Sequence, residues 1–489
     1  MTDTTINRQS TGIHGLDEIL SGGLIPGRAY LVSAGPGCGK TILGLHYLTN
    51  GLATGEKALF ITLEESAERI RTHADSLGLD LQGVDVLDLS PDAEFFTAMQ
   101  TYDLFSPAEV EREPIAQKIV EYVQRIQPQR VFLDSMSQFR YLSNDAFQFR
   151  KQVLSFLRFM TDHKVTVLFS SESSQGTPDD DMRFMSDGII ELALINDQRT
   201  VSVTKFRGSA FHRGTHAMRL DGQGMRVFPR LVPEKFRKEF EIELISSGVP
   251  SLDNLLHGGI ERGTVSIVSG PSGAGKTTLG LQFMQEAAKR GERSVVYTFE
   301  EGINSIVHRC EAIGLPVRAM LEKGSLSIIP IEPLIYSPDE FASLVRQEAE
   351  ENELRTVMID STAGYQLSFQ DEHLESHLHS LCKYLKNMGT TVLLINETDD
   401  IISSNFRATT LGISYLADNI IYIRYVEIEG VMRKAIGVLK KRLSDFDKSV
   451  HPFEITSSGL KVESQDGLSG LQGLLSGNPD IIDDSQRSE

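Results

Sequence analysis

The sequence predicts an α/β protein built from two similar domains in tandem, each a mostly parallel β-sheet with helices on both faces. The chain has 489 residues, which is too long for one ordinary hydrophobic core. Residues 11–41 and 247–277 repeat one pattern at a constant offset of 236 residues. In each copy, short β-branched apolar runs alternate with longer stretches whose apolar residues recur at helical spacing, which favours parallel strands joined by helices.

The repeat also suggests where the domains begin and end. Leu16-Asp17 matches Leu252-Asp253, and the later strand-like runs RVFLDS and TVMIDS still match at an offset of 226. Loops therefore differ in length while the order of elements is kept. We expect the domains and a mobile C-terminal tail to divide the chain into residues 1–230, 231–465 and 466–489.

Composition narrows the classes of function. No stretch of about 18 apolar residues occurs, so no membrane span is predicted, and the polar N-terminus does not indicate a signal peptide. The three cysteines lie far apart in sequence, at Cys38, Cys310 and Cys382, which fits a reduced, cytoplasmic protein. The net charge of −19 disfavours nucleic acid as the main partner, although a local basic groove is compatible with it.

A glycine-rich loop in each copy predicts phosphate binding. In GPSGAGKTT, over residues 270–278, the glycines, lysine and threonine follow a strand-like run and open a helix-like one. Backbone N–H groups, the helix N-terminus and the lysine would then face nucleotide phosphates. The predicted contacts are Gly270, Ser272, Gly273, Ala274, Gly275, Lys276, Thr277 and Thr278.

The first copy departs from this pattern at one position, because Ala34 replaces the leading glycine. This alanine is tolerable if the position does not need a positive φ. The alternative interpretation, a chance turn containing a lysine, is disfavoured by the occurrence of two loops in register. The predicted contacts of this loop are Gly35, Gly37, Cys38, Gly39, Lys40 and Thr41.

An aspartate ends an equivalent strand in each copy. Asp134 and Asp360 follow apolar runs and precede serine. Together with the loop hydroxyls of Thr41 and Thr277, they are predicted to hold Mg²⁺ and its water ligands. The alternative is that each aspartate caps the next helix.

A pair of glutamates ends the second strand-like run of each copy. Glu64-Glu65 and Glu300-Glu301 each begin 24 residues after the loop lysine. One carboxylate of each pair is predicted to orient and deprotonate the water that attacks a γ-phosphate. The alternative is a solvated helix start, where acidic residues are favourable.

Two basic residues follow a late strand-like run in each copy. Lys205 and Arg207 match Lys440 and Arg442, and their spacing puts each pair on one face of a strand. They could stabilise charge on a γ-phosphate, including one held by a neighbouring subunit. The alternative, an exposed charged strand edge, has equal support from the sequence.

The sequence resembles the KaiC family of tandem RecA-like ATPases and autokinases. The motifs above and the stretch over residues 413–442 carry this resemblance, which covers residues 8–460. It implies a homohexameric double ring with ATP and Mg²⁺ between subunits in both tiers. It implies that Glu64 and Glu300 act as bases supported by Glu65 and Glu301, and that the basic pairs reach nucleotide across the subunit boundary. Slow hydrolysis is implied for the N-terminal tier and phosphate transfer to its own chain for the C-terminal tier.

The resemblance also points to phosphorylation sites and partners. The family's adjacent Ser-Thr acceptors correspond to Ser414-Tyr415, and its upstream threonine corresponds to Thr409. A serine/threonine autokinase acting on Ser414 or Thr409 is therefore open, whereas a two-site cycle is disfavoured by the tyrosine. The differing tail disfavours a KaiA-like regulator and leaves a KaiB-like one open.

Two other functions are compatible with the motifs. One is a RecA-like DNA-handling ATPase, which the negative charge disfavours. The other is a nucleotide-gated scaffold with little turnover, which the glutamate pairs and basic pairs disfavour. A regulatory ATPase and autokinase is the leading hypothesis.

Overall fold

In the structure, a computed structural model, the chain forms two compact units, Met1–Arg230 and Leu231–Glu489. The residues described are 7–91, 108–140, 143, 145–172, 179–195, 197–369, 373–398, 413–428, 431–457, 459–463, 471–472 and 480–481.

The first unit contains one nine-stranded sheet. Its strands are β1 Ala29–Ala34, β2 Ala58–Thr62, β3 Asp85–Asp88, β4 Arg130–Asp134, β5 Thr166–Glu172, β6 Gly188–Ile195, β7 Gln198–Phe206, β8 Thr215–Asp221 and β9 Gly224–Phe228. Its helices are α1 His14–Ile19, α2 Lys40–Ala53, α3 Ala67–Ser76, α4 Ala108–Ile126, α5 Ala146–Asp162 and α6 Asp180–Met185, with a 3₁₀ turn at Met136–Arg140.

The strand order β3-β2-β4-β5-β1-β6-β7-β8-β9 separates two parts of this sheet. The six strands from β3 to β6 pair in parallel, and β7, β8 and β9 add antiparallel strands at one side. Alternate side chains of the parallel part face opposite layers, as the strand period requires. Val32 packs in the cluster that includes residues of α1 and α2, whereas Leu31 packs in the cluster that includes residues of α4 and α5. Helices therefore cover both faces.

The second unit repeats this plan. Its strands are β10 Leu244–Ile245, β11 Ile260–Glu261, β12 Val265–Gly270, β13 Arg293–Thr298, β14 Leu326–Pro330, β15 Leu354–Asp360, β16 Thr391–Glu397, β17 Asn419–Ile428, β18 Val431–Lys441, β19 His451–Thr456, β20 Gly459–Val462, β21 Leu471–Gln472 and β22 Asp480–Ile481. Its helices are α7 Pro250–Leu255, α8 Lys276–Lys289, α9 Ile303–Glu311, α10 Val317–Glu322, α11 Pro338–Glu351, α12 Thr362–Ser368 and α13 Leu374–Asn387, with 3₁₀ turns at Pro233–Lys235 and Ile413–Tyr415.

The large sheet of the second unit has the order β14-β13-β15-β16-β12-β17-β18-β19-β20, which is strand for strand the order of the first. The strands from β14 to β17 are parallel and the last three are antiparallel. The predicted fold class, two tandem RecA-like α/β domains with mostly parallel sheets, is confirmed.

The first unit ends at Arg230, just after β9, in which the guanidinium of Arg226 contacts Asp221 at 2.6 Å. Within the expected mobile tail, β21 and β22 pair with each other, and the other residues after Glu463 lie outside those described. Among the described residues, no helix is long and apolar enough to cross a membrane.

Candidate functional site

Both phosphate loops lie where a central strand ends and a helix begins. β1 leads into the first loop and α2 starts at Lys40, while β12 leads into the second and α8 starts at Lys276. Glycines supply the left-handed backbone that the turn requires, with φ of 72° and 99° at Gly37 and Gly39. The second loop has φ of 73° and 108° at Gly273 and Gly275. Each loop thus opens at a helix N-terminus, where anions are favoured.

The leading position of the loop differs between the units for a steric reason. Ala34 is not among the described residues with positive φ, so its methyl group is compatible with the backbone. Gly270 occupies the matching position in the second unit, where an added Cβ would lie 2.4 Å from the carbonyl oxygen of Ile423. The second loop therefore needs its glycine because β17 approaches closely, whereas the first loop has room for alanine.

A threonine hydroxyl bonds to the strand-ending aspartate in each unit. Thr41 donates to Asp134 at 2.6 Å, and Thr277 donates to Asp360 at 2.7 Å. Burial raises the pKa of both carboxyls above the ordinary value, that of Asp360 to about 6. A nearby cation would offset this desolvation, and one carboxylate, a hydroxyl, water and substrate phosphates are a donor set that suits Mg²⁺. The residues therefore fit the predicted metal.

The first glutamate of each pair is held by the serine that follows the aspartate. Ser135 donates to Glu64, and Ser361 donates to Glu300 at 2.6 Å. In both units the peptide bond between aspartate and serine is cis. The serine hydrogen bonds place Glu64 and Glu300 beside the strand ends that carry the aspartates.

The second glutamate has a different partner in each unit. Glu301 receives a hydrogen bond from Arg309 of α9 at 2.7 Å. The matching pair in the first unit is Glu65 with His73 of α3, 3.9 Å apart and more exposed. An exposed pair of this kind contributes little, about 0–1 kcal/mol.

The loop lysines fold back onto their own loops. Lys40 donates to the carbonyl oxygen of Gly35 at 3.2 Å and lies 3.7 Å from the carboxylate of Glu172. Lys276 donates to the carbonyl oxygen of Pro271 at 2.8 Å, and burial lowers its pKa. Lys40, Glu64, Asp134 and Glu172 lie at or just after the carboxyl ends of adjacent parallel strands and so share one edge of the sheet.

In the second unit these groups line a cavity of about 400 Å³. The predicted residues on its wall are Ser272, Gly273, Gly275, Lys276, Thr277, Thr278, Glu300, Glu301 and Asp360. Gly270 and Ala274 are not part of this wall, and Ala274 is fully buried. Ser361, Arg309 and Glu397 line the cavity without having been predicted as site residues. The Asp-Ser repeat and the glutamate that ends the matching strand in each copy were signals that could have identified Ser361 and Glu397.

The basic pairs lie at the edge of the sheet where the parallel strands begin, opposite the edge where those strands end and the phosphate loops follow. β7 runs antiparallel to β6, so that Lys205 pairs with Ile189 near the start of β6, and Lys440 pairs with Ile420 near the start of β17. The loops follow the far ends of β1 and β12, one strand length away, which is on the order of 15 Å. The structure therefore does not bring either basic pair to the phosphate loop of its own unit.

The basic residues instead contact the chain before β6 and β17. Lys205 donates to the carbonyl oxygen of Arg183 at 2.7 Å, and Arg207 lies 3.7 Å from Asp187. Burial, and then the nearby Arg207, lower the pKa of Lys205, and burial and Arg442 do the same for Lys440.

In the second unit, Ser414 lies in the chain before β17, at the position that Arg183 has before β6 in the first unit. Lys440 donates to the carbonyl oxygen of Ser414 at 2.9 Å, and Arg442 donates to that of Tyr415 at 3.1 Å. The other predicted acceptor, Thr409, lies outside the described residues.

The fold and the two loops define a class of nucleotide-binding protein with paired sites. A family model described as "ATPase: KaiC" matches the chain twice, over residues 9–232 and 245–467. The chain belongs to the KaiC family, as its sequence motifs indicated, and ATPase activity and nucleotide binding follow from that membership.

Curated relatives agree along the whole length. The chain is 26% identical to the circadian clock oscillator protein KaiC of Parasynechococcus marenigrum over 507 residues, covering 100% of this chain and 96% of the relative. It is 27% identical to KaiC of a Picosynechococcus species and to KaiC 1 of a Synechocystis species, each over 503 residues, covering 99% of this chain and 94% of the relative.

Proposed function

We propose that this protein is a ring-forming ATPase with regulatory function, in which each unit binds Mg²⁺-ATP and a neighbouring copy completes each site. The observation that carries the proposal is the separation, in both units, of the phosphate loop from the basic pair at the opposite edge of the sheet. A basic pair that cannot reach its own loop can serve the loop of another copy.

The chemistry of one site follows from the groups at the loop edge. Lys276 would neutralise charge on the outer phosphates, and Thr277 with Asp360 would hold Mg²⁺, which would supply Lewis-acid stabilisation of the phosphates. Glu300 orients the attacking water and accepts its proton. Lys40, Thr41, Asp134 and Glu64 have the same roles in the first unit.

Such an arrangement also explains why copies would assemble. A contact that joins the loop edge of one copy to the basic edge of the next is head-to-tail, and head-to-tail contacts close into rings when the rotation allows. The family resemblance makes a homohexameric double ring the proposed assembly. Arg207 and Arg442 would stabilise charge in the transition state, a contribution of roughly a thousandfold in rate.

Mixing two defective chains tests the shared site. In a Lys276→Ala background, which leaves only the first unit active, Lys40→Ala and Arg207→Ala chains should each lose phosphate release. Mixed in equal amounts, they should recover about a quarter of the rate, because one interface in four pairs the two intact parts. Sizing each chain with and without Mg²⁺-ATP is the control for assembly. Assembly without recovery would contradict sharing between copies.

A second activity, transfer of phosphate to the protein's own chain, is favoured in the C-terminal unit. Ser414 lies against Lys440, one of the cations that would face a neighbour's ATP. The first unit has Arg183 at the matching position, which lacks a hydroxyl group. We therefore propose serine/threonine autokinase activity at Ser414, with Thr409 as a second acceptor from the family resemblance.

Mass spectrometry over residues 405–420 after incubation with Mg²⁺-ATP tests this activity. Phosphate on Ser414 or Thr409, absent from a Lys276→Ala chain, is the expected result. If both residues stay unmodified while ATP is hydrolysed, the kinase proposal is wrong and the ATPase proposal stands.

The same assays separate the remaining alternatives. Stimulation of phosphate release by single-stranded DNA would favour DNA handling, and ATP-dependent assembly with negligible release would favour a scaffold. A KaiB-like regulator remains the candidate partner, and a cytoplasmic location remains a prediction.

A further inference from the structure

The two proposed catalytic glutamates differ in the number of side chains that hold them. Glu64 accepts hydrogen bonds on Oε1 from Ser135 and, at 3.0 Å, from the amide nitrogen Nε2 of Gln138. Glu300 accepts a hydrogen bond from Ser361, and no second side-chain donor to it occurs among the residues that the structure describes. The first glutamate is therefore fixed by two donors and the second by one.

The reason lies in the residues that follow β4 and β15. Gln138 is four residues after Asp134, in the 3₁₀ turn Met136–Arg140. The residue four positions after Asp360 is Gly364, in α12. A Cβ at Gly364 would lie 2.6 Å from Cβ of Phe299 and 3.1 Å from Oε1 of Glu300. The second unit thus has no room for any side chain at the position where the first unit has its second donor.

We infer that Gln138 is a positioning residue for ATP hydrolysis in the first unit, which fixes Glu64 for attack by water, and that the second unit lacks this function. The inference rests on the proposed role of Glu64 as the base. A charge-assisted hydrogen bond to the carboxylate restricts its rotation, and a water-orienting group is effective only within a narrow range of positions. Gln138 acts through Glu64 and is not itself a catalytic residue.

Replacing the donor without changing the length of the side chain tests this inference. In the full chain with Lys276→Ala, Gln138→Met should lower kcat for phosphate release roughly tenfold and leave KM within about twofold, because Gln138 orients the base without binding nucleotide. Gln138→His, which restores an N–H donor at a similar reach, should recover most of the loss. A purely structural role would raise KM or reduce the amount of folded protein, and the histidine would not restore the rate.

The Glu64→Gln chain in the same background separates this inference from the proposed function. It should abolish phosphate release. If it does so while Gln138→Met has an unchanged kcat, the positioning role is wrong and the base assignment stands. If Glu64→Gln retains full activity, the base assignment itself is wrong.

The asymmetry between the units gives a second test. Ser135→Ala should cost the first unit less than Ser361→Ala costs the second, measured with the other unit silenced at its loop lysine. Gln138 remains as a donor in the first case, and no equivalent donor remains in the second. Equal losses in kcat would contradict the inference.

Discussion

The two units place the same chemical groups at the same strand ends but support them in different ways. Glu56 and Glu292 occupy equivalent positions just before β2 and β13, and a buried arginine neutralises each. The arginines come from different places, because Arg130 begins β4 whereas Arg262 follows β11. Residue 356, which matches Arg130, is threonine. The strand-end residues of the predicted nucleotide site are thus matched, while the arginines that stabilise the surrounding structure are not.

The environments of these arginines also differ. Arg130 donates to the carbonyl oxygens of Ser10 and Tyr47 at 2.7 and 2.9 Å, in addition to Glu56. Arg262 has two carboxylate partners, Glu243 and Glu292. The first arginine therefore donates to two backbone carbonyl groups and one carboxylate, whereas the second donates to two carboxylates, and the two should differ in what their removal costs.

The largest effects should come from the loop lysines, which are equivalent in both units. Lys40→Ala and Lys276→Ala should each lower ATP affinity in one unit roughly a thousandfold, about 4 kcal/mol, because a cation is removed from a triphosphate. Counting bound nucleotide per chain by equilibrium dialysis should give two for the unmutated protein and one for each variant. Lys289→Ala, which removes an exposed lysine from α8, is the control. Loss of both nucleotides from one substitution would show that the units are not independent.

Removal of the buried arginines Arg130 and Arg262 should have the next largest effects. Arg130→Ala should destabilise the first unit by about 3 kcal/mol, because it removes the cation paired with Glu56, to which the neutral amide of Gln9 still donates, and the donor to two carbonyl oxygens. Arg262→Ala should cost about 2 kcal/mol, because Arg290 still lies 3.0 Å from Glu292. Hydrogen exchange measured separately over α2 and α8 distinguishes the units. Equal costs would contradict the difference in environment described above.

The surroundings of Arg262 also predict that the second unit loses stability at acid pH. Burial opposes ionisation of Glu292, but hydrogen bonds from Arg290 and Arg262 lower its pKa below the ordinary 4.5. Its contribution to stability is therefore present above pH 4.5 and is lost as the pH falls through the lower pKa of the folded state. A stability profile of the Arg262→Ala chain should lose part of this acid dependence.

A steric difference should have an effect no larger than that of Arg262→Ala. Gly364→Ala should destabilise the second unit by about 2 kcal/mol, because its methyl group meets Phe299 at 2.6 Å. Gly302→Ala is a matched control in the same unit, since an added Cβ there has no atom within 4 Å. Thermal unfolding of the two variants compares them directly. If Gly364→Ala is as stable as the control, α12 adjusts and the second unit is less constrained than its structure indicates.

The smallest effect is expected at Cys38, the predicted phosphate-loop residue that carries a thiol. Cys38 is buried, and its Sγ lies 3.8 Å from the carbonyl oxygen of Pro36. Cys38→Ala reproduces the residue of the second loop, Ala274, and should change ATP affinity in the first unit less than about twofold, because a thiol is a weak donor. A tenfold change would mean that the two loops bind phosphate differently.

Most of the fold could be predicted from the sequence because the chain contains the pattern twice. The repeat identified Lys40 and Lys276, the aspartates and the glutamate pairs. Because these residues come at the carboxyl ends of parallel strands, they were expected to lie at one edge of each sheet. The structure agrees with that placement, although nucleotide contacts at these residues remain predictions.

Other features depend on packing that a sequence pattern does not contain. The need for glycine at Gly270 arises from the close approach of Ile423, more than 150 residues away along the chain. The contact between Gln138 and Glu64 joins residues 74 positions apart and lacks a counterpart in the other copy, so the repeat could not indicate it. The strand reversal that carries Lys205 and Lys440 away from their own loops appears only when the pairing of β6 with β7 and of β17 with β18 is known.

That reversal has a genetic consequence under the proposed assembly. A chain altered only at Arg207 or Arg442 keeps its own loops intact and spoils the pocket of the copy beside it. Coexpressed with normal chains, an altered chain of either kind would cost the ring one site, but an arginine allele would silence the loop of its neighbour, whereas a loop-lysine allele would silence its own.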